Sequence, residues 1–181
     1  MARLKIFTYP DAVLKQRAIE VTTFDDELKK LVSDMAETMY FAPGIGLAAN
    51  QVGVLNRVIV IDADFRDENK EKNLRVFVNP KITSFEGDTC YEEGCLSVPN
   101  VTEKVDRAKK VTVRAFDTNG KEFSVEAEDL LAVCLQHEID HLDGILFIDH
   151  LSKLKRDFYK NKLKKEKLAR QNEESQQVDS R

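Results

Sequence analysis

The chain has 181 residues, 42% of them hydrophobic and 33% charged, which fits one globular domain with a buried core and excludes fibrous and unstructured classes. No stretch approaches the roughly 20 apolar residues of a membrane-spanning helix, and the opening MARLKIFTYP lacks the apolar run and small-residue cleavage site of a secretory leader, so a cytoplasmic protein with no membrane partner is expected. The net charge of −4 is uneven, because nine Lys and Arg stand against two acids between Ser152 and Arg170 on an otherwise acidic body, and such a basic segment is suited to meet something anionic.

In chain order, Asp11 to Ala18 reads as a short helix after Pro10, and Asp25 or Asp26 as the cap of a longer one running to about Tyr40. There, Leu28, Leu31, Val32, Met35 and Met39 recur on one helical face. Pro43, Gly44 and Gly46 end that pattern. A strand-rich middle follows: Arg57 to Asp62, Leu74 to Val78 stopped by Asn79-Pro80, Lys81 to Phe85, and Lys110 to Phe116, which leads through Asn119-Gly120 into Lys121 to Val125 as a hairpin. A second long helix is expected from about Ala127 to His141, stopping near Asp143-Gly144. The last helix covers Ser152 to Arg170, apolar at Leu151, Leu154 and Phe158 and charged beyond, and Gln171 to Arg181 reads as a frayed tail. This order indicates the α+β class: a single domain of strand-rich sheets packed around a central helix, plus a C-terminal helix. The expected division is a catalytic domain over residues 1–165 and a charged, disordered tail over 166–181.

Three segments carry chemistry. Gln136-His137-Glu138-Ile139-Asp140-His141 is an H-E-x-x-H. On a helix it sets two imidazoles one turn apart on one face, where they can bind one cation while the glutamate reaches a water on it. The bland alternative is an exposed, charged helix. Against that, Leu130, Val133 and Cys134 share the face of His137 and His141, so the ligands continue an apolar stripe and need a partner inside. Glu93-Gly94-Cys95-Leu96-Ser97 offers a third ligand as a thiolate, and a Cys-His-His set suits Fe²⁺, Zn²⁺, Co²⁺ or Ni²⁺. Gly44-Ile45-Gly46-Leu47-Ala48-Ala49-Asn50-Gln51 allows close backbone approach and supplies, at Gln51, an amide of the kind that stabilises an oxyanion; alone it could be a tight turn before an ordinary strand. The odd, sparse set Cys90, Cys95 and Cys134 makes no disulfide framework.

Together these segments resemble the peptide deformylase family, which carries G-Φ-G-Φ-A-A-x-Q, E-G-C-Φ-S and Q-H-E-x-D-H in this order. Every fixed position is present, and the likeness spans about residues 3 to 165. The resemblance implies a metal-dependent hydrolase that removes the formyl group from the N-terminal formylmethionine of newly synthesised polypeptides and releases formate. It implies one Fe²⁺ per chain on Cys95, His137 and His141, with Zn²⁺, Ni²⁺ or Co²⁺ able to substitute. A metal-activated water attacks the formyl carbon. Glu138 acts as general base and then acid, and the Gln51 amide and the Leu96 backbone N–H stabilise the oxyanion. Gly46 is counted with these catalytic positions and also, with Ile45, Gly94 and Leu96, as the wall along which the N-formylmethionyl peptide lies as an added strand. Ile45, Tyr91, Leu130, Val133 and Cys134 line the methionine pocket, and Arg107 is expected to pair with Glu93 or Asp140 behind the ligands.

One position departs from the pattern. Some members carry an arginine seven residues after the ligand cysteine, whereas here Thr102 stands there, followed by Glu103. The basic C-terminal helix resembles the segment with which some members dock near the ribosomal exit tunnel. A monomer is expected. The competing readings are an H-E-x-x-H metallopeptidase or amidase acting on other peptides, and a non-catalytic ribosome- or peptide-binding protein; the presence of Cys95, Glu138 and Gln51 argues against both.

Overall fold

Asp25 starts the first helix: in the computed structural model its carboxylate accepts the backbone N–H of Leu28 at 3.0 Å and caps α1, Asp26–Phe41. The structure describes residues 2–67 and 69–179, with side chains as far as Asn172. After α1 the chain turns through Gly44 into the short strand β1, Gly46–Ala48, and a 3₁₀ turn, Ala49–Val52. Strands β2, Val58–Ile61, β3, Arg75–Cys95, β4, Val98–Phe116, and β5, Glu122–Glu128, follow. Among the described residues these five form one antiparallel sheet in the order β1-β2-β3-β4-β5. Helix α2, Asp129–Leu142, comes next, then a 3₁₀ turn, Phe147–His150, and α3, Lys153–Asp179.

Helix α2 packs on the sheet, where Ala132, Leu135, Ile139 and Leu142 share a core with Ile59, Ile61, Phe77, Val111 and Val113. Helix α1 covers β1 and β2 through Leu28, Val32, Met35 and Met39. A third apolar cluster ties Tyr9 and Leu14 to Val98, Val101, Phe147 and, from α3, Leu163. This is the expected α+β arrangement around a central H-E-x-x-H helix. Gly144 ends α2 with φ +75°, and a side chain there would meet the carbonyl of Lys15 at 2.5 Å, so glycine serves both the left-handed turn and the close approach.

Four segments differ from the sequence expectation. Asn79-Pro80 does not stop the strand from Leu74 but makes a register shift between Val78 and Lys81 inside the continuous β3. Asp11 to Ala18 makes one 3₁₀ turn, Ala12–Lys15, because the following residues turn outward to non-local partners: Ala18 N–H donates to Leu142 O at 2.7 Å and Ile19 N–H to Leu55 O at 2.7 Å. Glu86 to Lys109, to which the sequence reading assigns no element, is the outer part of the β3–β4 hairpin, which runs from Glu86↔Lys110 past Glu92↔Lys104. Its buried positions mix Val101 and Val105 with the charged Glu93 and Arg107, so no apolar alternation marks it. Helix α3 continues past Arg170 to Asp179; of the expected tail, Ser180 and Arg181 lie outside the described residues.

Candidate metal centre and active site

Cys95 is the last residue of β3, and the turn Leu96-Ser97 leads straight into β4. Between Gly94↔Thr102 and Cys95↔Val98 the register slips, so the additional residues of β4, Pro99 to Val101, form a bulge that aims the thiol off the ladder. Asn100 holds the left-handed turn of this bulge at φ 60°, a conformation that its short polar side chain tolerates. Helix α2 supplies His137 and His141, both buried. The His137 ring lies near-parallel to Phe147 at 6.0 Å and edge-on to His141 at 5.0 Å.

Strand and helix thus bring one thiol and two imidazoles together: donor atoms of Cys95, His137 and His141 all lie within 4.8 Å of one another, with Cys95 Sγ 3.2 Å from His141 Nε2. His137 turns its other nitrogen, Nδ1, to Glu93 Oε2 at 2.7 Å, which fixes the ring with Nε2 toward the thiol. Two weak donors, Ser97 N at 3.4 Å and Gln51 Nε2 at 3.6 Å, face the sulfur.

Electrostatics point the same way. Burial opposes a charge on His137, but Cys95 and Glu93 overcome it and raise that histidine well above its ordinary value. Burial and the charge of His137 together lower His141. A cluster that holds a positive charge between a thiol and an imidazole in a buried site is suited to hold a cation. The donor set is that of a borderline transition metal with three protein ligands and room for a fourth.

Glu138, one step round α2, is buried; burial, with help from Glu93 and Asp140, pushes its carboxyl up to about 7 against the pull of His137. Its Oε2 has no hydrogen-bond partner, and Oε1 lies where a side chain on Gly46 would begin, 2.4 Å from an ideal Cβ. Gln51, from the 3₁₀ turn after β1, has its carboxamide fixed at both ends. Ala48 N–H donates to Oε1 at 2.9 Å, and Nε2 donates to Ser97 Oγ at 3.1 Å.

A cavity of about 770 Å³ opens beside this cluster. Its lining includes Cys95, His137, Glu138 and Gln51 together with Ile45, Gly46, Tyr91, Gly94, Leu96, Leu130, Val133 and Cys134, so the sequence-derived site residues meet in one place; His141 lies behind it, buried. Ile45 and Gly46 form one wall, Gly94 to Leu96 another, and the Cys134 thiol in the floor is pushed far up by burial and by Glu138. The sequence reading passed over Ala63, Arg66, Glu92 and Asn100, which also line the cavity. Arg66, whose Nη2 donates to Pro43 O at 3.0 Å and so braces the Gly44–Gly46 wall, stands in a loop without periodicity. Asn100 after Pro99 could have been suspected as a turn. Thr102 does stand at the cavity rim. Behind the ligands, Arg107 pairs with both carboxylates named for it, Glu93 and Asp140.

Comparison with known proteins agrees with this geometry. The "Polypeptide deformylase" family model matches residues 3–157. A "Peptide deformylase" of Thermodesulfovibrio yellowstonii is 52% identical over 167 residues, covering 92% of this chain and 100% of the relative. A "Peptide deformylase 1" of Shewanella oneidensis is 51% identical over 171 residues, covering 94% and 98%. The crystal structure of a peptide deformylase from Legionella pneumophila superposes with a TM-score of 0.85 at 49% identity, covering 93% of this chain and 98% of the other.

Proposed function

The chain belongs to the polypeptide deformylase family, and on that premise we propose how its residues divide the work of removing the formyl group from an N-terminal formylmethionine. It is an enzyme that hydrolyses the N-formyl amide, releasing formate and leaving a free amino terminus. The family is one of metalloenzymes, and Cys95, His137 and His141 are the residues that would hold the ion. When bound, the ion lowers the pKa of a water and polarises the formyl oxygen. Fe²⁺ is the native ion we assign, one per chain, with Zn²⁺, Ni²⁺ or Co²⁺ able to substitute.

Glu138 takes a proton from the attacking water and later delivers it to the departing amine. A buried carboxyl held at about 7 can both accept and donate that proton near neutrality. Gly46 leaves the space that this carboxylate occupies. Gln51, its carbonyl anchored on Ala48, presents Nε2, and with the backbone N–H of Leu96 it would stabilise the oxyanion developing on the formyl group. The substrate backbone would lie as an added strand between Ile45-Gly46 and Gly94 to Leu96. The methionine side chain would enter the apolar pocket of Ile45, Tyr91, Leu130, Val133 and Cys134.

One observation carries this reading: three ligand atoms converge within 4.8 Å beside a buried glutamate oxygen that has no partner. The test is formate release from formyl-Met-Ala-Ser by anaerobically Fe²⁺-loaded enzyme, with Glu138→Gln alongside. Fast release by the parent and none by the variant, at equal metal content, supports the roles; equal rates remove Glu138 from the chemistry. An H-E-x-x-H peptidase or other amidase is not favoured, since the family match covers all three motifs. Among the described residues no helix is long and apolar enough to cross a membrane. The setting we propose is cytoplasmic, with a monomeric enzyme working beside the ribosome that makes its substrates. Exposed Lys162, Lys164 and Lys165 on α3 support such a contact.

A further inference from the structure

Behind the ligands an unbroken chain of polar contacts leads out of the catalytic cavity. His137 Nδ1 lies 2.7 Å from Glu93 Oε2. Arg107 grips Glu93 through Nε to Oε1 at 2.7 Å and Nη2 to Oε2 at 3.0 Å, and its remaining nitrogen, Nη1, donates to Asp140 Oδ2 at 2.7 Å. His150 Nε2 stands 2.7 Å from that same Asp140 oxygen. Glu93 and Arg107 are buried, whereas the His150 side chain, at the end of the Phe147–His150 turn, is 37% exposed. Arg107, Asp140 and His150 face a second cavity of about 1290 Å³. Helix α2 separates the two spaces: Val133, His137 and Glu138 look into the catalytic cavity, Gln136, Ile139 and Asp140 into the other.

We propose that His150 is a positioning residue for the metal centre, acting through Asp140, Arg107 and Glu93 on the orientation of His137. This rests on the assignment of His137 as a ligand. His150 Nε2 is 3.3 Å from Arg107 Nη1, a donor that cannot accept. Asp140 Oδ2, at 2.7 Å, can only accept, so this nitrogen carries a proton and donates it there rather than accepting from Arg107. Asp140 Oδ2 then has two donors, one from each side. Without His150 that oxygen depends on Arg107 alone, and the guanidinium is drawn toward Asp140 at the expense of Glu93. Glu93 is what holds the His137 ring, so the strain ends at a ligand. Partners of ligating histidines set ring orientation and basicity, and their loss costs ~10–100-fold in metal affinity or activity.

The test compares Co²⁺-loaded parent, His150→Ala, His150→Gln and Asp149→Asn proteins for Co²⁺ dissociation, visible absorption, and kcat and KM with formyl-Met-Ala-Ser. His150→Ala is expected to lose Co²⁺ ~10-fold faster, with shifted absorption bands and lower kcat at unchanged KM. His150→Gln, whose amide can donate to Asp140, recovers most of the loss. Asp149→Asn loosens the same turn at Lys160 without touching the polar chain and keeps the parent's dissociation rate and spectrum. Unchanged dissociation and spectrum in His150→Ala overturn the proposal, as does equal loosening by Asp149→Asn, which would make the effect one of turn stability. A parent that holds no Co²⁺ at all removes the ligand assignment itself, and this proposal with it.

Discussion

A methyl group at position 46 would meet Glu138 Oε1 at 2.4 Å and the Glu138 Cδ and Cγ at 2.9 Å. The glycine thus leaves the space that the proposed proton-transfer side chain occupies, and Gly46→Ala is expected to push that carboxylate out of place. Steady-state kinetics should show kcat reduced ~100-fold or more, the lower end of what a positioned acid or base contributes. Metal content should stay at the parent's level, since Cys95, His137 and His141 are untouched. Glu138→Gln, which removes the charge and keeps the shape, should lower kcat by ~10²–10⁴. Its thermal midpoint should not fall, because Oε2 has no hydrogen-bond partner to lose. A drop in midpoint together with activity would mean that the residue holds the fold instead.

Among the elements, the Phe147–His150 turn joins three parts of the chain through one side chain. Asp149 meets Lys15 from the N-terminal turn and Lys160 from α3, and accepts the backbone N–H of Leu146 at 2.9 Å. Burial works against its charge, yet these partners hold the carboxyl at about 2, below the ordinary 3.8. A depressed value means that the stabilisation is complete above pH ~4 and drains away as pH falls toward ~2. Asp149→Asn should therefore cost about 2 kcal/mol in urea unfolding at neutral pH, and the gap to the parent should close on acidification. A gap that stays constant with pH would assign the loss to packing. The helices and most strands were legible because Leu28 to Met39 and Lys110 to Phe116 repeat with clean periods. The hairpin from Glu86 to Lys109 was not, since its buried positions mix Val101 and Val105 with the charged Glu93 and Arg107, and rungs such as Glu92↔Lys104 are exposed, so no apolar period runs along it. The same holds for the site: its candidate ligands stood in compact motifs, whereas Arg66 lines the cavity and His150 meets Asp140 only through tertiary contacts.

For the whole molecule, the basic C-terminal segment turns out to find its first anions within the chain. Lys155 pairs with Glu103, Lys160 with Asp149 and Lys167 with Asp11, while Leu163 between them is 2% exposed against the cluster of Tyr9, Leu14 and Phe147. The start of α3 is thus part of the fold, and docking reaches past the expected boundary at residue 165. Leu163→Ala should destabilise the protein by ~2–5 kcal/mol, the range for a large-to-small core change. Ending the chain after Lys167 should leave the unfolding midpoint and small-peptide turnover near the parent's; a large fall in either would extend the folded unit into the rest of α3. At one edge of the sheet, β1 has three residues, Gly46–Ala48, and among the described residues pairs with β2 alone. So short an edge is a poor place for a second copy to join, but it can take the first residues of one extended chain. A polypeptide whose beginning has already coiled into a helix or packed into a core offers no strand to add. On the proposed mode of binding, what such an edge would distinguish is therefore age: it would admit a chain during the brief interval between synthesis and folding, and refuse the same sequence afterwards.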